Sequence, residues 1–397
     1  MPIVTVLGAG GSTVSIEVDS ARNAQVAQTL LGILSGQIQD GTVTPFNYDG
    51  LGPLNPPSGL NDLIITGPGE ASVPATTSDI IDVARGPVLL LGGNAPEQLV
   101  VADSPLVYFA NSGAGTVIAS GGGSEIVEQR GGDHLFLTDG GNNHILALSG
   151  NDTISAGPGD NTIVLGSGND LVQVTGHDKI VAGSGQDTIQ VLSGNAMVLG
   201  GTGLLTFING SGASTVFGGD GSTTLSGGAG GGVYKGGSDG NNLLITGLQA
   251  TTLFGAGNHD QLYAIGGGND LLVAGRGSET LTGAGTGSDT FIGGNGRDVI
   301  SGGFGYNTFV AGHGNETLTG GTAGNTYIFS DDSEGHFVIT DFTAGSDTIL
   351  LQGFRPGEVK EALEHQKHHD GGTMIKLGDD TTITFQNVTH VKSSWFG

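Results

Sequence analysis

One large apolar residue returns about every nine positions through the middle of the chain, and short polar or glycine-rich stretches separate its occurrences. The nineteen members of this series are Ile154, Ile163, Val172, Ile180, Ile189, Val198, Phe207, Val216, Leu225, Tyr234, Leu244, Leu253, Leu262, Leu272, Leu281, Phe291, Ile300, Phe309 and Leu318. Nine residues are too few for a helical hairpin, and abundant glycine opposes helix. The spacing instead suits a short strand with one inward side chain, followed by a tight turn. Two such units would form one coil, so the pattern predicts an all-β parallel solenoid in which residues eighteen apart stack.

The pattern is different before residue 86. The segment "SARNAQVAQTLLGILSGQIQDG" places Ala24, Ala27, Leu31 and Leu34 at helical spacing after a serine cap, which predicts one amphipathic helix. The segments "IVTVL", "STVSIEV" and "DLIITG" around it are typical of short strands. We therefore expect residues 1–85 to form a small N-terminal domain, which either caps the first coil against strand pairing or serves in assembly. Residues 86–330 would then form the solenoid.

The pattern changes again after residue 330. The segments "HFVITDFTAGSDTILLQGF" and "GGTMIKLGDDTTITFQNVT" alternate apolar and polar residues, which predicts a C-terminal β cap over residues 331–397. Between them, "EVKEALEHQKHHD" predicts a helix or loop that carries His365, His368 and His369. Three histidines are compatible with a transition-metal site, but we favour a solvent-exposed tract.

Composition shows that packing alone does not hold such a solenoid together. The 397 residues include 78 glycines, and 38 acidic against 12 basic residues give a net charge of −26. One inward aliphatic side chain in nine buries little area against the backbone entropy that glycine loses on folding. The negative charge opposes binding to nucleic acid or acidic membranes, and bound cations would offset it.

Other composition features exclude several classes of protein. The chain has no cysteine, which excludes disulfides and thiolate metal sites. We expect no membrane span, because no apolar run approaches the roughly 18 residues that a spanning helix needs. The N-terminal "MPIVTVLGAGGSTVSIEV" lacks a basic segment followed by an apolar one, so we expect export without a cleaved N-terminal signal.

The turns carry a recurring motif of glycine, any residue, glycine, any residue, Asp, any residue and an aliphatic residue. It occurs as "GSGNDLV" at 166–172, "GSGQDTI" at 183–189 and "GGNGRDVI" at 293–300, and as "GRGSETL" at 275–281 with Glu for Asp. Over roughly residues 110–330 the chain resembles the repeats-in-toxin (RTX) family and its nonapeptide repeat. The resemblance implies a right-handed parallel β-roll or β-helix that binds several Ca²⁺ ions, and export by type I secretion. The segment after residue 330 resembles the one that follows the repeats in that family, although the ending "VKSSWFG" is less typical of its secretion signal.

The residue types in these turns suit calcium. Calcium takes six to eight oxygen ligands, which glycine carbonyls and carboxylates of two stacked turns can supply. The predicted side-chain ligands lie about eighteen residues apart and are Asp152, Asn161, Asp170, Asp178, Asp187, Asp260, Asp270, Glu279, Asp289, Asp298, Asn307 and Glu316. The predicted carbonyl ligands lie near Gly166, Gly168, Gly183, Gly185, Gly275, Gly277, Gly294 and Gly296. An isolated Asn-Asp pair would indicate only an Asx turn, whereas rows in phase favour calcium.

The carboxylates are missing from one part of the repeat. Between residues 190 and 255 the ligand position holds Ala196, Leu205, Ser214, Thr223, Gly232, Asn242 and Thr251. We therefore predict two calcium-binding blocks, at about 140–190 and 260–320, on either side of a metal-free middle. The phase slips at "GAGNHDQLY", so the sequence leaves open whether His259 or Asp260 faces the turn.

No catalytic motif accompanies the repeat, so we predict that the chain is not an enzyme. Neither H-E-x-x-H nor G-x-S-x-G occurs. Our first hypothesis is a secreted, calcium-dependent structural or adhesive protein, a component of a surface layer, matrix or filament whose partner is a second copy of itself. The alternatives are a module that binds carbohydrate, such as a cell-surface glycan, or another surface, and a polysaccharide-modifying enzyme with its site on a solenoid face.

Overall fold

A computed structural model describes residues 2–18, 21–92, 98–102, 105–110, 113–120, 122–369, 371–378 and 380–397. The chain divides into two compact units, Met1–Val198 and Leu199–Gly397. The serine predicted to cap the helix is Ser20, which lies outside the described residues.

Among its described residues, the first unit has one helix, α1 (Ala21–Gln39), and a short 3-10 turn at Ala9–Gly11. Its strands in chain order are β1 (Ile3–Leu7), β2 (Thr13–Glu17), β3 (Thr44–Tyr48), β4 (Asn61–Ile65), β5 (Gly69–Ser72), β6 (Thr77–Asp82), β7 (Val88–Leu91), β8 (Gln98–Ala102), β9 (Leu106–Ala110), β10 (Gly115–Ala119), β11 (Glu125–Glu128), β12 (His134–Thr138), β13 (His144–Ser149), β14 (Thr153–Ala156), β15 (Thr162–Ser167), β16 (Leu171–Val174), β17 (His177–Val181), β18 (Gln186–Val191) and β19 (Asn195–Leu199).

The second unit contains α2 (Glu358–Glu364) and a 3-10 turn at Ser393–Trp395. Its strands are β20 (Leu204–Ile208), β21 (Ser214–Phe217), β22 (Thr223–Ser226), β23 (Gly232–Lys235), β24 (Leu243–Ile245), β25 (Thr251–Phe254), β26 (Gln261–Ala264), β27 (Leu271–Val273), β28 (Thr280–Gly283), β29 (Thr290–Ile292), β30 (Arg297–Ser301), β31 (Thr308–Val310), β32 (Asn315–Thr319), β33 (Thr326–Ser330), β34 (His336–Ile339), β35 (Thr348–Gln352), β36 (Lys367–His369), β37 (Gly372–Lys376) and β38 (Thr382–Gln386).

The first unit is a parallel β-solenoid with two strands in each coil, as the sequence predicts. From β4 onward, each strand pairs in parallel with the strand two positions further along the chain, so even-numbered and odd-numbered strands form two separate sheets. The register joins Ile154 to Val172 and Val172 to Ile189, which gives the predicted coil of about eighteen residues.

The parallel pairing starts earlier than the predicted boundary at residue 86. Strands β3 and β4 already pair in parallel, and β4 pairs with β6. Leu63 and Ile80 are fully buried partners in this register. These early coils lack the G-x-G-x-D turn, so the turn motif gives no sign of them, and only the inward aliphatic residues keep the coil spacing.

The second unit is built in the same way, and its C-terminal end is closed by antiparallel strands. Strand β34 pairs in parallel with β38, which pairs antiparallel with β37, and β37 pairs antiparallel with β36. An aromatic cluster packs at this end, where the ring of Phe342 lies 5.3 Å from that of Phe385 and 4.8 Å from that of Trp395.

The apolar residues that recur every nine positions form the cores of the two units. All nineteen members of the series are at most 1% exposed, which confirms their predicted inward orientation. In the second unit, aromatic rings stack from coil to coil, with centroids of Phe291 and Phe309 5.3 Å apart and those of Phe309 and Tyr327 5.0 Å apart. The apolar contact between coils therefore comes from the side chain of this series on each strand and, on some strands such as β16, from a second buried residue.

The N-terminal strands and helix lie along the side of the first unit. The antiparallel hairpin β1–β2 and the apolar face of α1, which includes the predicted Ala24, Ala27, Leu31 and Leu34, pack on outward aliphatic residues of the even-numbered sheet. Those outward residues are Ile64, Ile81, Val101, Ile118 and Leu137. The buried Asn23 amide donates a hydrogen bond of 2.7 Å to Oδ1 of Asp139. The helix is thus as the sequence predicts, and a ladder of branched aliphatic residues determines where it docks.

Within the described residues, no helix is both long enough and apolar enough to cross a bilayer.

We expect Phe309→Ala to destabilise the calcium-loaded chain by about 3–5 kcal/mol, because it leaves a cavity between two stacked rings. Phe304→Ala is the control: Phe304 is 64% exposed, and its loss should change the free energy of unfolding by less than about 0.5 kcal/mol. Chemical denaturation followed by circular dichroism measures both. Equal costs for the two variants would contradict the role of the aromatic stack.

Candidate metal-binding turns

In the first unit, one row of predicted ligands lies along a single edge of the solenoid. Asp152, Asp170 and Asp187 are each at most 3% exposed. The main-chain N–H of Asp152 donates to Oδ1 of Asp170 at 2.8 Å, and that of Asp170 donates to Oδ1 of Asp187 at 3.3 Å. Each carboxylate is therefore bonded to the preceding coil, and the structure brings the three residues together at the predicted spacing.

The opposite edge of the first unit carries a less charged row. The main-chain N–H of Asn143 donates to Oδ1 of Asn161 at 3.1 Å, and that of Asn161 donates to Oδ1 of Asp178 at 3.2 Å. The Asn161 amide also donates to Asp178 at 2.7 Å. Amides take the same place in the hydrogen-bond ladder as carboxylates, but they contribute no charge.

In the second unit, Asp260 and not His259 occupies the row at the point where the repeat changes phase. This residue is buried, and its Oδ1 accepts the main-chain N–H of Asn242 at 3.0 Å. His259 is exposed and has a φ angle of 63°. The left-handed backbone conformation of His259 accommodates the additional residue in this turn, so that Asp260 keeps its place in the row. Further along this edge, the N–H of Glu279 donates to Oδ1 of Asp298 at 2.9 Å.

The opposite edge of the second unit forms the longest ladder in the described residues. Main-chain N–H groups donate to side-chain oxygens of the next coil from Asp270 to Asp289, from Asp289 to Asn307 and from Asn307 to Asn325, at 2.9–3.0 Å. The N–H of Asn325 donates to Oδ1 of Asp347 at 2.7 Å.

The predicted glycine carbonyls face the next coil of the same edge. A Cβ atom placed on Gly183 would collide with the carbonyl oxygen of Gly166, and one on Gly185 would collide with that of Gly168. The same relation holds between Gly294 and Gly275 and between Gly296 and Gly277. Gly168 and Gly185 also have φ angles of 144° and 131°, which side chains disfavour. Glycine is required because the turns bring bare carbonyl groups into contact.

Several buried carboxylate oxygens in these rows lack a hydrogen-bond partner. They are Oδ2 of Asp152, Oδ2 of Asp270, Oε2 of Glu279 and Oε2 of Glu316. A buried carboxylate oxygen without a donor is unfavourable unless a cation or a proton compensates it. The donor set is entirely oxygen, which is the chemistry that calcium prefers. The residues present therefore fit calcium, and their role as its ligands remains a prediction.

The electrostatics of the rows also call for positive charge. Burial raises the pKa of Asp170 and of Asp289 to about 6, and neighbouring carboxylates contribute to both shifts. Burial, with the charge of Asp298 adding to it, raises the pKa of Glu316 to about 8. The pKa of Glu279 is raised by burial and by its close contact with Asp298. At neutral pH these carboxylates either bind protons or need cations beside them.

Main-chain oxygens would have to supply much of any coordination sphere. In the described part of the chain, no group of three or more His, Asp or Glu side chains converges as a metal cluster. In the histidine tract, His365 lies just after α2, while His368 and His369 are exposed on β36. Nδ1 of His365 instead lies 2.9 Å from the carbonyl oxygen of Glu361.

The stretch without carboxylates is held by neutral hydrogen bonds where it is described in the second unit. The Ser214 hydroxyl donates to Oδ1 of Asn209 at 2.8 Å, and the Thr223 hydroxyl donates to Oδ1 of Asn242 at 3.0 Å. These turns keep the solenoid geometry with side chains that carry no charge.

Sequence reasoning missed some members of the rows. Asn143, Asn325 and Asp347 occupy the same buried position, and His134 begins the row of Asp152 by donating its main-chain N–H to Oδ1 of that residue at 2.8 Å. The eighteen-residue spacing from Asn161 and Asn307 was a sufficient signal for Asn143 and Asn325. No such signal existed for Asp347, because an insertion lengthens its coil to 22 residues.

A family model described as the RTX calcium-binding nonapeptide repeat (four copies) matches residues 137–172, 174–203, 266–290, 283–312 and 292–327. These ranges contain every predicted side-chain ligand except Asp260. A search of curated proteins finds no similar chain.

We expect acid to stabilise the metal-free chain. An acid whose pKa is raised on folding stabilises the folded state fully when the pH is below its unfolded pKa, which is about 4. This stabilisation is lost as the pH rises through the pKa of the folded state. That pKa is about 6 for Asp170 and Asp289 and about 8 for Glu316. In excess chelator the melting temperature should therefore fall by several degrees between about pH 5.5 and about pH 8.

The control is the same series of melts in saturating calcium, where the fall should shrink or reverse because protons and ions compete for the same oxygens. A melting temperature that rises with pH in chelator would contradict the raised pKa values of the buried carboxylates in these rows.

Proposed function

Since this chain belongs to the RTX calcium-binding nonapeptide repeat family, we propose that it is a secreted structural or adhesive protein whose turns bind several Ca²⁺ ions. The observation that carries the proposal is the set of buried carboxylate oxygens without hydrogen-bond partners, which line both edges of stacked turns. The ions would lie in the blocks 140–190 and 260–320, with the uncharged turns between them free of metal.

Calcium would couple folding to location. In a cytosol poor in calcium, carboxylates such as Asp152, Asp170 and Asp187 repel one another once they are stacked, and the glycine-rich chain favours the open state. Outside the cell, bound calcium supplies the positive charge that the rows lack, and the free energy of binding adds directly to the free energy of folding. RTX repeat proteins are usually secreted, which supports this order of events.

The same features argue for a structural role over a catalytic one. The RTX β-roll is typically a non-catalytic fold. The buried carboxylates in the turns accept hydrogen bonds from main-chain N–H groups, as Asp289 and Asp298 do, so they hold the coils instead of facing a substrate.

One outward face of the second unit supports contact with a second copy. The register of the odd-numbered strands aligns Phe254, Val273, Ile292, Val310, Ile328 and Leu350 as a ladder of partly exposed apolar side chains. Successive rungs of a parallel sheet are about 4.8 Å apart. A second copy carries the same ladder at the same spacing, so two such faces match rung for rung.

We expect Asp298→Ala to raise the calcium concentration at the midpoint of folding by about tenfold or more, equivalent to at least about 1.4 kcal/mol. Asp298 is bonded both to Glu279 of the preceding coil and to Gly294 of its own turn, so its loss disturbs two stacked turns. Ser214→Ala, in a turn without carboxylates, is the matched control and should leave the midpoint almost unchanged. Circular dichroism during calcium titration measures both, and equal shifts would refute the proposed calcium-binding blocks.

The assembly role is tested with two valines on different sheets of the second unit. Val310→Asp places a charge in the apolar ladder, whereas Val299→Asp places one on an outward position of the even-numbered sheet that is already 52% exposed. In calcium, light scattering and electron microscopy should show assemblies for the wild type and for Val299→Asp, and monomers for Val310→Asp. Assembly by both variants, or monomers throughout, would refute self-association through this face.

A further inference from the structure

One buried carboxylate lies outside the repeat turns, and no donor lies in good hydrogen-bonding geometry to its oxygens. Asp62, on strand β4, is 0% exposed, and neither Oδ1 nor Oδ2 has a hydrogen-bond partner. Its neighbour Leu63 is in the core of the coil, while Ile64 packs under the N-terminal hairpin and α1. Because side chains alternate along a strand, Asp62 faces the same side as Ile64. The carboxylate therefore lies on the face that the N-terminal segment covers.

A β-bulge brings a second carboxylate beside it. The register pairs Asn61 with Thr77 but Asp62 with Asp79, so Ser78 is an extra residue in β6. Without this bulge Asp62 would lie opposite Ser78. Burial first, and then the charge of Asp79, raise the pKa of Asp62 to about 8, while the nearby main-chain N–H of Asp79 opposes that rise. Bulges often serve to re-aim a side chain, and here the effect is to pair two acids.

A cavity of about 760 Å³ is lined by Asp79, the partner of Asp62 in this register. Its lining includes Asp79, Ser78 and Thr77 from the sheet and Gln37 and Leu34 from α1. The cavity supplies hydroxyl and amide oxygens as well as room for water. An ion that entered the cavity would therefore reach Asp79 and find further oxygen ligands beside it.

We propose that Asp62 and Asp79 hold a divalent cation, with calcium favoured by the all-oxygen surroundings, at a site separate from the repeat turns. The ligands come from adjacent strands instead of from G-x-G-x-D turns. The cation neutralises two acids on the face where the hairpin and α1 dock, so it also stabilises the docking of the N-terminal segment. Without a cation, one proton shared between Asp62 and Asp79 is the competing explanation.

The test counts bound ions on the full chain. Equilibrium dialysis against radioactive calcium at saturation is carried out on the wild type, Asp62→Asn, Asp79→Asn and the control Asp49→Asn. Asp49 is an exposed residue whose carboxylate accepts only the N–H of Leu51 among the hydrogen bonds described. We expect Asp62→Asn and Asp79→Asn each to bind one ion fewer than the wild type, and Asp49→Asn to bind the same number.

An unchanged count in both variants, together with a higher melting temperature of Asp62→Asn in chelator, would overturn the proposal in favour of a shared proton. If Asp62→Asn fails to fold, Asp79→Asn carries the same test, since Asp79 is only partly buried. Asp298→Ala in the same dialysis reports on the turns, so failure of the turn sites is distinguishable from failure of this one.

Discussion

The structure depends on stacking like charges in places where water does not reach them. Each coil contributes only one or two inward apolar side chains per strand, and the coils are also joined by main-chain hydrogen bonds and by carboxylates that accept N–H groups from the coil before. That arrangement brings buried acids into register and leaves some of their oxygens without a partner. In the proposed function, a bound cation would compensate this charge and so hold the coils together.

The hydrogen-bond ladder between coils and the negative charge of the rows vary independently along the chain. Asn161 and Asn307 take the same hydrogen-bonding place as Asp170 and Asp289, so the ladder itself does not need a carboxylate. What the acids add is charge, so the buried negative charge varies from row to row while the backbone repeat stays constant. One protein therefore combines coils that stack carboxylates with coils, such as that of Ser214, that hold by neutral hydrogen bonds.

The N-terminal segment shows a second way to stabilise a thin core. Instead of adding to the coils, the hairpin and α1 bury an outward ladder of branched aliphatic residues, from Ile64 to Leu137, and enlarge the apolar contact on one side of the sheet. Asp62 lies on the same face with no hydrogen-bond partner for its oxygens, and the proposed cation site at this docking surface rests on it.

The sequence by itself determined the coil length, the inward residues, the turn glycines and most of the side chains that form the buried rows, because each of these recurs with a short local period. The helix face of Ala27 and Leu31 was equally predictable from its spacing. Only the tertiary structure decided where that helix docks, that Asp260 and not His259 enters the row, and that a bulge places Asp79 beside Asp62. These outcomes depend on register between strands distant in sequence, which no local period encodes.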